Sequence, residues 1–337
     1  MKAIVCDQIE QLNLVEMQEP TVKAGEAIVR IKRIGICGTD LHAYKGNQPF
    51  FSYPRVLGHE LSGYVEEIGE GVLGLKAGDL VSVVPYMHCG TCIACRNGNT
   101  NCCTDMKVLG VHMDGGMREL VAIPASHLIK TEGLTLDQAA MLEPLSIGAH
   151  ALRRSGLRAG ETALVIGAGP IGLGVMILAK QFGATVIAMD INDERLAFCR
   201  KWAGVDQTVN ALQQPKEQLA ELTNGDMPTV VFDATGNARS MTDSFGLVAH
   251  GGKLVYVGLV KADITFHDPD FHKRELTLMG SRNATMEDFD TVCEAMQTGV
   301  IDIESYITHR ASFEDMIGEF ETWLKPESKV IKAIVCL

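Results

Sequence analysis

The stretch ALVIGAGPIGLGVMILAKQFGATVIAMD, residues 163–190, constrains this chain more than any other. A β-branched apolar run leads into Gly167, Gly169 and Gly172, spaced Gly-x-Gly-x-x-Gly, and an apolar segment of helix length follows. Glycine fills 34 of 337 positions, so the triplet alone would mean little; the strand before it and the helix after it give it weight. The glycines let the backbone turn tightly and approach a pyrophosphate, which rests on the amides of the helix N-terminus. Asp190 closes the next apolar run, eighteen residues after Gly172. An acid at that place accepts both ribose hydroxyls and repels a 2′-phosphate. No arginine follows it immediately, so NAD is the expected cofactor. A merely structural glycine turn with a capping aspartate would not require strand, turn, helix and acid together.

From Gly160 onward the pattern is regular. TALVIGAG, TVIAMD, DQTVN, TVVFDATG, KLVYVGL and LTLMGS are apolar runs separated by amphipathic stretches. They read as six strands of a doubly wound parallel sheet. Up to about Pro124 the chain instead shows short alternating strands with Gly/Asp turns, such as EAIVRIKRIG, SGYVEEIGEG and KAGDLVSVVPY. The segment TLDQAAMLEPLSIGAHALRRSG between them has a helical pattern. The last strand, KVIKAIVCL, suits the β-rich part better than the parallel sheet. At 337 residues, 46% of them hydrophobic, two cores are expected. The expectation is an α/β chain in which residues 1–148 and 286–337 form a β-rich domain and residues 149–285 an inserted doubly wound one. The word KAIVC stands at both ends, Lys2–Cys6 and Lys332–Cys336, and reads as two similar strands of common β residues.

The N-terminal MKAIVCDQIEQLNLVE has scattered charges and no apolar core of a secretory signal. The longest uncharged stretch, Ala163 to Ala179, is shorter than the ~20 residues of a spanning helix and is broken by glycines and a proline. A cytoplasmic location without membrane contact is expected. The net charge of −12, with no basic run, argues against nucleic acid and leaves a small molecule as the expected partner.

Five of the ten cysteines fall between residues 89 and 103. In a reducing compartment such density favours metal over disulfides. Cys89, Cys92, Cys95 and Cys103 follow C-x2-C-x2-C-x7-C, a spacing that closes a tetrahedron around a structural zinc and staples the loop 87–103. Cys102 is an alternative to Cys103 on sequence alone, and His88 a weaker one. The chemistry then belongs elsewhere. GICGTDLH offers Cys37, Thr39, Asp40 and His42; VLGHE offers His59 and Glu60; MLEPLSIGAH offers Glu143. Each alone reads as a buried thiol, a loop histidine or a helix-end charge. Together they supply the open three-ligand set that catalytic zinc uses.

GICGTDLH, GHE, the four-cysteine lobe, EPLSIGAHALRR and GAGPIGLG occur in the order seen in zinc-dependent medium-chain alcohol dehydrogenases. The chain resembles that family over essentially its whole length, and within it the sorbitol and threonine dehydrogenase branch. The resemblance implies a GroES-like catalytic domain built from both chain ends, with a Rossmann domain between. It implies two zinc ions per chain, NAD, and a homo-oligomer, dimer or tetramer. By the resemblance the catalytic zinc is held by Cys37, His59 and either Glu60 or Glu143, one carboxylate acting directly or through water. Thr39 would accept the alcohol proton and relay it to His42, with Glu60 beside them in the catalytic set. Pro170, Ile171, Arg195, Thr235 and Gly258 join the glycines and Asp190 as expected cofactor contacts.

For the substrate, Phe50, Phe51 and Tyr53 are candidate pocket aromatics, with plain packing as their default role. FHDPDFHKRELTLMGSRNATMEDF resembles bacterial dehydrogenases acting on hexonates, L-galactonate among them, and puts Arg282 and Asn283 after the sixth strand. Glu143, Phe51, Arg282 and Asn283 form the expected substrate set. The expected activity is oxidation of a secondary alcohol of a sugar acid or polyol. L-threonine 3-dehydrogenase and sorbitol dehydrogenase are alternatives, and a non-catalytic NAD-binding zinc protein is the alternative of another class. The last would have no use for Cys37, Thr39, His42, His59 and Glu143 together.

Overall fold

The six apolar runs after Gly160 are six parallel strands, ordered Gln207–Asn210, Thr185–Asp190, Thr162–Ile166, Val230–Asp233, Lys253–Tyr256, Thr277–Gly280. In chain order this is 3-2-1-4-5-6, so connections leave the first strand in opposite directions and open a crevice at the strands' carboxyl ends. The computed structural model describes residues 1–48 and 51–337, and the candidate Phe50 lies outside the described residues. Strands sandwiched between helices have no solvent face, which is why Ala163, Leu164, Val165 and Ile166 are all buried. Leu164, Ile187, Val209, Val231 and Leu254 build the core of this unit. Its helix Pro170–Gln181 buries every residue from Gly172 to Ala179 and begins on a proline, whose missing N–H would have had no helical partner there.

The other unit is built on a seven-stranded sheet. Its path runs Leu128–Lys130, Leu80–Val83, Glu60–Ile68, Glu26–Ile36, Lys332–Cys336, Ile307–Ser312, and Leu120–Pro124 also pairs with Glu26–Ile36. The central strand has eleven residues and can take two partners along one edge. Leu120–Pro124 covers its first half, and Lys332–Cys336 its second, with Ala333 opposite Ile36. Along the other edge Gly35 faces Glu60. Both ends of the chain therefore share one core, with Ile31, Ile34, Leu61, Phe320 and Val335 in it.

The β-rich unit comprises Met1–Pro144 and Thr285–Leu337, and the parallel-sheet unit Leu145–Ala284. The first division precedes the expected 148/149 because Leu145 and Gly148 pack on Gly174, a Cβ on Gly148 coming to 2.8 Å from the Gly174 carbonyl carbon; the second falls one residue before the expected 285/286. Among the described residues no helix is long and apolar enough to cross a membrane.

Candidate functional site

In the parallel-sheet unit, Gly167 leaves its strand with φ +98°, a left-handed conformation open to glycine. Gly172 packs so closely that a Cβ would lie 1.8 Å from the Gly167 carbonyl oxygen, whereas a Cβ on Gly169 would meet nothing within 4 Å. The turn is thus sealed on its protein side and open above Gly169, the helix N-cap, with Pro170 and Ile171 beginning the helix. Asp190 braces it: Oδ2 accepts the Ala168 N–H at 2.7 Å and Oδ1 the Asn192 N–H at 2.9 Å. The Arg195 guanidinium reaches the Ala168 carbonyl at 3.5 Å. Beyond the next strand, buried Asp233 accepts from both N and Oγ1 of Thr235, and its carbonyl takes the Gly258 N–H. A Cβ on Gly258 would lie 2.5 Å from the Gly236 nitrogen, so two loops pass here as bare backbone. The predicted cofactor residues therefore come together at one end of the sheet.

In the β-rich unit, Cys37, His59 and Glu60 each place one ligand atom within 4.8 Å of the others. Cys37 follows the central strand and caps the helix Gly38–Tyr44; Glu60 opens the neighbouring strand. Asp40 links the two segments. Its Oδ2 accepts the Cys37 N–H at 3.0 Å, its Oδ1 the Gly58 N–H at 3.1 Å, and the same Oδ1 stands 3.6 Å from His59 Nδ1. Glu143 stands outside the close triad but within its electrostatic reach, accepting a hydrogen bond from buried Tyr86. Of the two carboxylates left open by the sequence, Glu60 is the one inside the cluster.

The donor set fits a divalent cation. His59 Nδ1 and Glu60 Oε2 are buried without a hydrogen-bond partner among the described residues, which is costly unless something satisfies them. Burial opposes protonation of His59, yet Asp40, Cys37 and Glu143 outweigh it and raise its pKa well above the ordinary value. Burial, with Glu60 adding to it, pushes Glu143 up to about 7 against the pull of His59, Tyr86 and Lys332. So many anionic groups in one buried place are what a cation would offset. Sequence reasoning missed Asp40 as the bridge, Tyr86, Lys332 and the buried Tyr306, whose hydroxyl is pushed up by burial and then by the charges of Glu60, Cys37 and Glu143. Lys332 Nζ donates to Glu60 Oε1 at 2.5 Å. Asp40 lay within a quoted motif, but the others carried no local signal.

Cys89, Cys92, Cys95 and Cys103 bring their sulfurs within 4.8 Å of one another, with Cys102 exposed and outside the group. Backbone N–H groups of Cys89, Cys92 and Asp105 donate to these sulfurs, each at 3.3 Å. Hydrogen bonds led by the Cys95 N–H lower Cys92 to about 5, toward the thiolate that metals bind, while burial and the Cys92 sulfur push Cys95 up to about 12. Neighbouring His88 instead lies 5.1 Å, ring to ring, from His127.

The remaining candidates divide. Thr39 and His42 lie one turn apart on the helix begun by Cys37, half-buried and exposed respectively. Phe51 packs edge-on against Tyr53 at 4.9 Å and on the β-rich core. Arg282 is exposed on the loop after Thr277–Gly280, and Asn283 beside it has a φ of +52°.

Known proteins resemble this chain throughout. A family model described as an alcohol dehydrogenase GroES-like domain matches residues 23–133, and one described as a zinc-binding dehydrogenase matches 170–298. An L-galactonate-5-dehydrogenase of Escherichia coli K12 is 41% identical, covering 99% of this chain and 98% of its own. An L-threonine 3-dehydrogenase of Bacillus velezensis is 33% identical, covering 98% of each. The crystal structure of an alcohol dehydrogenase (rspB) from E. coli CFT073, complexed with NADH, superposes with a TM-score of 0.93 at 33% identity, over 100% of this chain and 99% of that one.

Proposed function

We propose that this chain, which belongs to the zinc-binding alcohol dehydrogenase family and is an oxidoreductase of CH–OH donors, oxidises a secondary alcohol of a hexonate such as L-galactonate, with NAD as acceptor. The observation that carries the chemistry is the buried Cys37–His59–Glu60 cluster. Zinc there would supply a Lewis acid that makes an alcohol acidic, and NAD would take the hydride. Cys37, His59 and Glu60 would hold the zinc, and Cys89, Cys92, Cys95 and Cys103 a second, structural ion. Glu143, fixed by Tyr86, would orient a water or substrate hydroxyl beside them. Thr39 Oγ1 would take the alcohol proton and pass it to exposed His42, hence to solvent. Gly167, Gly169 and Gly172 would admit the pyrophosphate, and Asp190 would hold the adenine ribose.

Similarity to an L-galactonate-5-dehydrogenase over nearly the whole chain supports the hexonate reading. Arg282 and Asn283, after the sixth strand, are the proposed readers of its carboxylate. Similarity to an L-threonine 3-dehydrogenase supports the second reading, threonine. Among the described residues none of the ten cysteines is in a disulfide, which fits work in the reducing cytoplasm. The family resemblance supports a dimer or tetramer. NADH absorbance on a panel of hexonates, matching polyols and threonine, with and without a chelator, tests the proposal. Chelator-sensitive NADH formation on a hexonate is expected; turnover of threonine or polyols alone would replace the substrate reading.

A further inference from the structure

Lys332 has only 2% of its side chain exposed, and Glu60, its partner, none. The ammonium is held from two sides, donating to Glu60 Oε1 at 2.5 Å and to the Ile36 carbonyl at 3.2 Å. Glu60 is confined on a third side as well. A Cβ on Gly35 would lie 2.0 Å from Glu60 Oε2, so the carboxylate lies against bare backbone. Register makes this possible: Gly35 faces Glu60 on one edge of the central strand, and Ala333 faces Ile36 on the other. One oxygen of Glu60 is therefore committed to the ammonium. The other, Oε2, is buried and has no hydrogen-bond partner among the described residues.

We propose that Lys332 is a positioning residue of the metal centre, engaging Glu60 Oε1 so that Oε2 alone is presented to the cation beside Cys37 and His59. The final strand of the chain thus sets how one ligand meets the metal, although it supplies no ligand itself. An isolated carboxylate can turn to offer either oxygen or both. One pinned by an ammonium and a glycine backbone keeps a single geometry, and partners of this kind hold ligands in place. A lysine serving only as a buried charge would repel the cation, so its replacement by an uncharged side chain of similar volume would slow metal release rather than speed it.

The inference rests on reading Cys37, His59 and Glu60 as zinc ligands. Elemental analysis of the unmodified protein beside Cys37→Ser tests that reading separately, since loss of one zinc in the variant is its signature. Lys332→Met is then compared with the unmodified full chain in zinc release to excess chelator and in the visible absorption of the cobalt-substituted protein. Release from the Cys37 centre should accelerate by about tenfold or more, with shifted cobalt bands, while release from the four-cysteine lobe stays unchanged. Lys332→Arg, which keeps the charge and the donors, should restore most of the difference. Unchanged release and an unchanged cobalt spectrum in folded Lys332→Met would overturn the proposal. If that variant does not fold, Lys332→Leu decides, because its shorter side chain also removes every donor to Glu60: accelerated release with shifted bands supports the proposal, and behaviour like the unmodified protein overturns it.

Discussion

Asp40 Oδ1 lies 3.6 Å from His59 Nδ1, while Asp40 Oδ2 accepts the Cys37 N–H at 3.0 Å. One buried carboxylate thus organises two proposed ligands that stand 22 positions apart in the chain. Asp40→Asn keeps the shape and removes the charge. Zinc affinity of the Cys37 centre should fall by roughly 10–100-fold, the usual cost of losing such a partner. Competition with a chelator of known affinity measures it, and an unchanged constant would remove Asp40 from the metal centre.

The two metal groups should fail differently. Cys37→Ser is expected to lose one zinc and all activity while keeping its fold, since the sheet around Cys37 is held by its own core. Cys92→Ser should unfold the lobe, whose helix Ile93–Arg96 is a single turn with no buried residue. Structural zinc contributes ~10–16 kcal/mol in small domains, and here it would be folding free energy. Zinc analysis with circular dichroism separates the cases; an active Cys37→Ser protein would contradict the assignment.

How much of this was legible in the sequence depended on distance along the chain. The four inner parallel strands announced themselves as apolar runs because a strand buried on both faces has no polar side. The glycine turn and Asp190 fall within one contiguous stretch, so spacing alone aligned them. The pair KAIVC shows where reading stops. Both copies are strands, but Lys2 is exposed and pairs with Glu314 at 2.7 Å, whereas Lys332 is buried against Glu60. The five residues are the same, and only the partner strands differ. Pairing across 272 positions decides the fate of that lysine, and local pattern contains none of it.

Stability should depend on pH through Asp137. Its Oδ1 meets Arg33 Nε and its Oδ2 meets Arg310 Nη2, each at 2.6 Å. Burial pushes this carboxyl up, but hydrogen bonds from Arg310 and Arg33 outweigh it and hold the pKa below the usual value. A depressed carboxyl contributes stability above its unfolded pKa of ~3.9 and loses it as pH falls through the folded value. Asp137→Asn should therefore cost about 1–3 kcal/mol at pH 7, toward the lower end because Arg310 is 39% exposed. Urea titrations should show the gap between the two proteins closing below about pH 4. A constant gap down to acid would show that the pair does not act through charge.

Cofactor preference should turn on Asp190. NAD should be strongly preferred over NADP, and Asp190→Ala should narrow the ratio of kcat/KM values by about tenfold or more, equivalent to at least ~1.4 kcal/mol. The ratio is the proper readout because Asp190 also braces Ala168 and Asn192, and losing those bonds weakens both cofactors alike. Equal use of NAD and NADP by the unmodified protein would refute the ribose reading.

Substrate recognition should turn on charge. A chain of net charge −12, with Glu60 and Glu143 in or beside its proposed metal centre, accepts an anion poorly unless a local cation compensates. Arg282 has the planar fork that binds a carboxylate through two hydrogen bonds. With the carboxylate anchored there, the oxidised hydroxyl would lie toward the far end of the sugar acid, and the product would be a keto-hexonate rather than an aldehyde. Arg282→Leu should then raise KM for hexonates by the loss of a charged hydrogen bond, roughly 1.5–3 kcal/mol. Neutral polyols of the same length should be nearly untouched, because they bring no charge to be read. Steady-state kinetics on one hexonate and its matching polyol distinguish this from a structural role: equal losses on both would mean that Arg282 supports the loop or the cofactor and does not recognise the carboxylate.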